Sequence, residues 1–212
     1  MDDLTEYKND LFDTTSLFSE DNAVFPEESF FEYVSDLLGN TGILDNVEYC
    51  PYRNTNRGIK IDGYSWNPLE KTISGIVINF TNEKDVINTL INSEIKDIGK
   101  RVTRFFESIH DPKFINSLEV TDPGRVAAEE ILNYFPETIK FRIVLITDQL
   151  LSTRVKKVEI EKILDKDTSI EIWDLERLRA LDQSGSDHEE FTVDLKALGG
   201  AIKALPANTL EN

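Results

Sequence analysis

Residues 58–80 constrain this chain more than any other stretch. They read Gly-Ile-Lys-Ile-Asp-Gly-Tyr-Ser-Trp-Asn-Pro, then Leu-Glu-Lys, then Thr-Ile-Ser-Gly-Ile-Val-Ile-Asn-Phe. Ile59 and Ile61 alternate with Lys60 and Asp62, and Ile76, Ile78 and Phe80 alternate with Val77 and Asn79. Two strands therefore flank a turn marked by Asn67-Pro68, which predicts a hairpin. Period-2 alternation places Lys60, Asp62 and Tyr64 on one face of the first strand, and Asn79 and Thr81 on one face of the second.

The flanking sequence supplies helices and further strands. Leu4, Tyr7, Leu11 and Phe18 recur at helical spacing behind acidic residues, which the helix dipole favours at an N-terminus. Pro26 opens a second helix with Phe30, Phe31, Val34, Leu37 and Leu38 as its apolar stripe, and Glu32 falls off that stripe. Residues 47–52 read as a strand. Ile87, Ile91, Ile95, Ile98, Val102, Phe105 and Ile109 step by four and three, predicting one long helix capped at Thr81 or Asn82. Its middle carries Lys96, Lys100, Arg101 and Arg104, read as a solvated face or as phosphate contacts. Asp122-Pro123 starts another helix, and residues 140–148 form a β-branched run dense enough for a central strand. Leu150, Leu151 and Ser152 read as loop, residues 158–163 as ambiguous, and residues 169–173 as a strand before a helix capped by Asp174. Residues 183–187 read as a polar loop, residues 191–195 as an edge strand and residues 199–212 as a tail. The expected organisation is one α/β domain over residues 1–198, with a mixed β-sheet flanked by helices, and then that tail.

Composition removes several function classes. Forty acidic against 23 basic residues give a net charge of −17, which repels a polyanion, so nucleic acid is a disfavoured partner. Cys50 is the single cysteine and His110 and His188 are the only histidines, which excludes a disulfide framework, a thiolate cluster and a histidine-rich zinc site. The acidic first residues lack the pattern of a signal peptide, and no apolar run approaches a membrane span. A cytoplasmic location without membrane partners is expected.

Gly58-Ile59-Lys60-Ile61-Asp62-Gly63-Tyr64-Ser65, preceded by Phe30-Phe31-Glu32-Tyr33-Val34 and followed by Ile172-Trp173-Asp174-Leu175-Glu176-Arg177-Leu178, resembles the amino-terminal part of the abortive infection phage resistance (AIPR) family. The resemblance spans most of the chain in the family's order. It implies a bacterial phage-defence context, a fold resembling the restriction-endonuclease-like (PD-(D/E)XK) core, and a longer protein of which this is the amino-terminal domain.

That core needs an acid on one strand and an acid-x-lysine on the next: carboxylates hold a magnesium ion, and the lysine orients the attacking water and offsets charge on the phosphate. Glu32 fits an auxiliary acid and Asp62 fits the first strand acid and metal ligand. Asn79 stands where the second acid belongs and Thr81 where the lysine belongs. Lys60, on the face of Asp62, is either a displaced catalytic lysine or an ordinary sheet lysine beside a carboxylate. Asp62 itself is either a metal ligand or a residue that bonds backbone at a bulge or turn. Asp148, at a strand end, touches a ligand or forms a turn.

The expectation is a phage-defence domain whose nuclease core is degenerate. It would serve as an assembly or sensing module for the downstream region of its own longer chain, with no cofactor. One alternative is a magnesium-dependent nuclease with an unusual site of Glu32, Asp62 and Lys60, active only in the longer protein. The other is a protein-interaction or dimerisation domain, with its first helix or tail exchanged between subunits of a homo-oligomer.

Overall fold

A computed structural model of the chain describes residues 3–186. In chain order the elements are α1 (Asp3–Asn22), α2 (Pro26–Asn40), β1 (Val47–Asn54), β2 (Ile59–Asn67), β3 (Thr72–Asn79), β4 (Thr89–Leu90), α3 (Asn92–Ser108), α4 (Pro112–Asn116), α5 (Pro123–Tyr134), β5 (Lys140–Thr147), β6 (Leu150–Leu151), β7 (Asp167–Trp173) and α6 (Leu175–Ser186). A five-stranded sheet runs in the order β1-β2-β3-β5-β7. β1, β2 and β3 form an antiparallel meander, and β5 and β7 continue it in parallel. The fold is thus α/β with a mixed sheet flanked by helices.

Alternation along the strands divides the interior into two layers. Ile73, Val77, Phe141, Ile143 and Leu145 face α3 and α5, whereas Ile76, Ile78, Val144 and Ile146 face α2 and α6. β5 is covered on both faces, which is why its sequence is a nearly unbroken apolar run. At Gly75 a Cβ would lie 2.6 Å from the ring of Phe106, so this glycine lets α3 close on β3. No helix among the described residues is long and apolar enough to cross a membrane.

Four expectations differ from the structure. The helix expected from Thr81 or Asn82 begins only at Asn92. Asn82 and Asp85 have φ of 55° and 62°, and Thr89 and Leu90 pair with Leu150 and Leu151, so a small parallel ladder replaces both the early helical turns and the loop expected after β5. The polar stretch before Asp187 is the last turn of α6, while Asp187, the edge strand expected at 191–195 and the tail at 199–212 lie outside the described residues. Finally, Tyr64 is not on the face of Lys60 and Asp62: it belongs to the α3/α5 layer and donates its hydroxyl to Glu130 of α5.

Candidate functional site

The change of face along β2 locates the site. Ile59 and Ile61 face α3, but a Cβ on Gly63 would strike Phe31 of α2 at 2.4 Å, so the alternation breaks between Ile61 and Gly63. Opposite the break, the β1 register slips between Tyr49 and Tyr52, where Pro51 supplies no N–H to the ladder. On its other side β2 pairs with β3 only as far as Gly63 opposite Ile76. Asp62 therefore sits where β2 loses register with both neighbours.

Two side chains fill the gap. The Asp62 Oδ2 accepts from the backbone N–H of Ile78 at 2.8 Å, and the Lys60 Nζ donates to the Ile78 carbonyl at 2.7 Å. The ammonium and the carboxylate are 3.3 Å apart. Both backbone groups of Ile78, which is 2% exposed, are thus satisfied by side chains of the strand that has moved away. Of the alternatives open for Asp62 in the sequence, the backbone-bonding one describes its contacts.

Asp62 is 8% exposed. Burial raises its pKa above the usual aspartate range, partly opposed by Lys60 and by the Ile78 N–H. The surroundings are acidic: burial and then Glu28, Asp62, Glu27 and Glu32 push the Tyr49 phenol upward. Glu27, and not Glu32, is the carboxylate that acts on Asp62. The Glu32 carboxyl is raised by partial desolvation and by Glu28 and Asp36 of its own helix, and Glu32 lines a surface cleft of about 420 Å³ between α2 and β1.

Asn79 and Thr81 lie on the other side of the gap. Asn79 ends β3 and its carbonyl accepts from Thr147 Oγ1 at 2.7 Å. Thr81 lies beyond the strand, where its N–H and hydroxyl both donate to Asp148. Asp148 is also 3.4 Å from the ammonium of Lys8, and both side chains are 2% exposed. Lys8 donates to the Val86 carbonyl as well, so one α1 lysine ties the irregular stretch after β3 to the end of β5. Sequence reasoning missed Lys8. Its signal was spacing, since Leu4, Lys8, Leu11 and Thr15 share one helical stripe.

Residues 30–180 match the family described as abortive infection phage resistance protein N-terminal domain, well over half of the chain. The chain belongs to this family. No curated protein and no solved structure gives a significant match. The part of this AIPR domain that matches begins within α2 and ends within α6, so the Lys8 strap comes from a helix ahead of it. Magnesium asks for about six oxygen ligands at about 2.1 Å. Among the described residues of this AIPR domain, no three His, Cys, Asp or Glu side chains converge in that way. Asp62 Oδ2 is on the Ile78 N–H and no cluster of three such side chains includes Asp62, so the described residues do not supply the ligand set of a magnesium ion.

Proposed function

We propose that this AIPR amino-terminal domain is a nuclease-like core that no longer performs metal-dependent hydrolysis, and that it acts in abortive infection as an assembly or sensing module for the downstream region of its protein. The chain order of α2, β1, β2, β3, α3 and β5, with β4, α4 and α5 between them, supports the likeness to a restriction-endonuclease core that the sequence resemblance implies. One observation carries the reading: Asp62 Oδ2 and the Lys60 ammonium bond the backbone of Ile78, which gives both side chains a structural duty. Asn79 and Thr81 support it, because a neutral amide and a hydroxyl replace the charged groups that hold the ion and offset charge on the phosphate.

The test is cleavage of DNA and RNA by the purified chain with magnesium or manganese. The expected result is no cleavage above that of an Asp62→Ala variant. Cleavage that this variant loses would overturn the proposal.

A second reading, a metal-dependent nuclease using Glu32, Asp62 and Lys60, is favoured by the four carboxylates that surround Tyr49. It requires Glu32 and Asp62 to approach a common ion, and hence α2 to shift on β2. The close contact of Gly63 with Phe31 opposes that movement.

A further inference from the structure

At the turn between β1 and β2, a small cavity of about 110 Å³ is lined by Arg53, Thr55, Gly58, Ile59, Lys60 and Arg101. It holds three cations and a hydroxyl and has no carboxylate in its wall. Among the described residues neither Arg53 nor Arg101 forms an ion pair, and neither do the neighbouring Arg57, Lys100 and Arg104. Arg53 and Arg101 are both exposed, and Lys60 is held in place by Ile78 and Asp62.

We infer that this cavity is a binding site for one phosphate group of a small phosphorylated ligand. Its volume admits a tetrahedral anion and lies far below the roughly 300–1,000 Å³ that drug-sized ligands fill. Among the described residues Arg53 and Arg101 each contribute a guanidinium without an acidic partner, the group whose N–H donors suit phosphate oxygens. Gly58 has φ of +61°, a left-handed conformation that glycine adopts without strain, so the turn that shapes the cavity favours this residue.

The neighbouring surface argues for a single phosphate over a polyanion. Past Arg104 the next cleft along α3, about 360 Å³, sets Glu107, Glu159 and Glu161 against Lys96, Lys100 and Arg104, so its carboxylates offset its cations where a second phosphate would sit. A net charge of −17 repels a long polyanion, whereas one dianion in contact with the cavity feels mainly its nearest cations, because charges beyond about 8–10 Å are screened at physiological salt. The site rests on Arg53 and Arg101, which the reading of Asp62 does not use.

The test is calorimetric titration of the full chain with inorganic phosphate, with adenosine 5′-monophosphate and with a single-stranded oligonucleotide. Phosphate and the mononucleotide are expected to bind saturably. Arg53→Gln and Arg101→Gln should each weaken that binding about tenfold, the effect of removing a charge-assisted contact, while Lys156→Gln, an exposed cation elsewhere, leaves it unchanged. Equal affinity for the two ligands supports a site that reads phosphate alone, and tighter mononucleotide binding supports one that also reads the attached group. Absence of saturable phosphate binding, or binding indifferent to both arginine variants, would overturn the inference. So would an oligonucleotide that binds more tightly than the mononucleotide with a steep salt dependence, since that describes a nucleic-acid track instead.

Discussion

Asp62→Ala separates a structural carboxylate from a functional one. The substitution removes the Asp62 acceptor of the Ile78 N–H, at a residue 2% exposed, and leaves the strand gap without one of its two bridges. A hydrogen bond to a charged group contributes about 1.5–3 kcal/mol, and an unmatched buried donor costs about 1–3 kcal/mol; the two overlap, so we expect a loss of about 3 kcal/mol. Lys60 adds little, because it keeps the Ile78 carbonyl and its side chain is 17% exposed. For a chain of this size about 3 kcal/mol corresponds to a fall in Tm of roughly 6–12 °C. Asp62→Asn keeps an oxygen for the Ile78 N–H and should cost only about 1 kcal/mol. The assay is urea unfolding followed by fluorescence of Trp66 and Trp173, comparing midpoints at unchanged m. An Asp62→Ala protein as stable as the parent, or more stable, would refute the reasoning. Carboxylates retained for function commonly weaken the fold that holds them, and their removal then stabilises it.

Two further outcomes follow from the same contacts. Lys8 and Asp148 form a buried pair, and breaking such a pair from one side costs about 3–5 kcal/mol; Lys8→Ala should fall in that range by urea unfolding. Asp148→Ala should cost more, because Thr81 also loses its acceptor, and the double variant should cost less than the sum. The second concerns pH. The folded pKa of Asp62 is raised from the ordinary 3.8, so the folded state binds the proton more tightly than the unfolded state. Its contribution to stability is therefore greatest at low pH and is lost as pH rises from about 3.8 through the folded value. The stability of Asp62→Asn relative to the parent should accordingly improve as pH rises across that window. A relative stability that worsens with pH would mean that Lys60 outweighs burial.

How far the sequence went depended on which physical signal each element carries. β2, β3 and β5 were legible because alternation and a continuous apolar run report burial directly. The start of α3 was not. Ile87 and Ile91 extend the helical spacing, yet Asn82 and Asp85 take left-handed backbone and Thr89 pairs with Leu150, so contacts with distant residues decided the conformation. At the site, Asp62 and Lys60 were expected to be neighbours and are 3.3 Å apart. The bonds to Ile78 were not readable, because they exist only where β2 parts from β3, and strand divergence leaves no period in the sequence. Lys8 was hidden for a related reason: a lysine in an apolar stripe looks like an interruption until its buried partner is seen.

The central claim is that the Asp62 carboxylate is engaged with the Ile78 backbone and holds no divalent cation. Crystals grown with manganese and measured for anomalous scattering test it most directly. The account predicts no anomalous peak at Asp62 and the Ile78 N–H still bonded to its carboxylate. A manganese ion coordinated by Asp62 at about 2.2 Å, with the Ile78 N–H released, would contradict it.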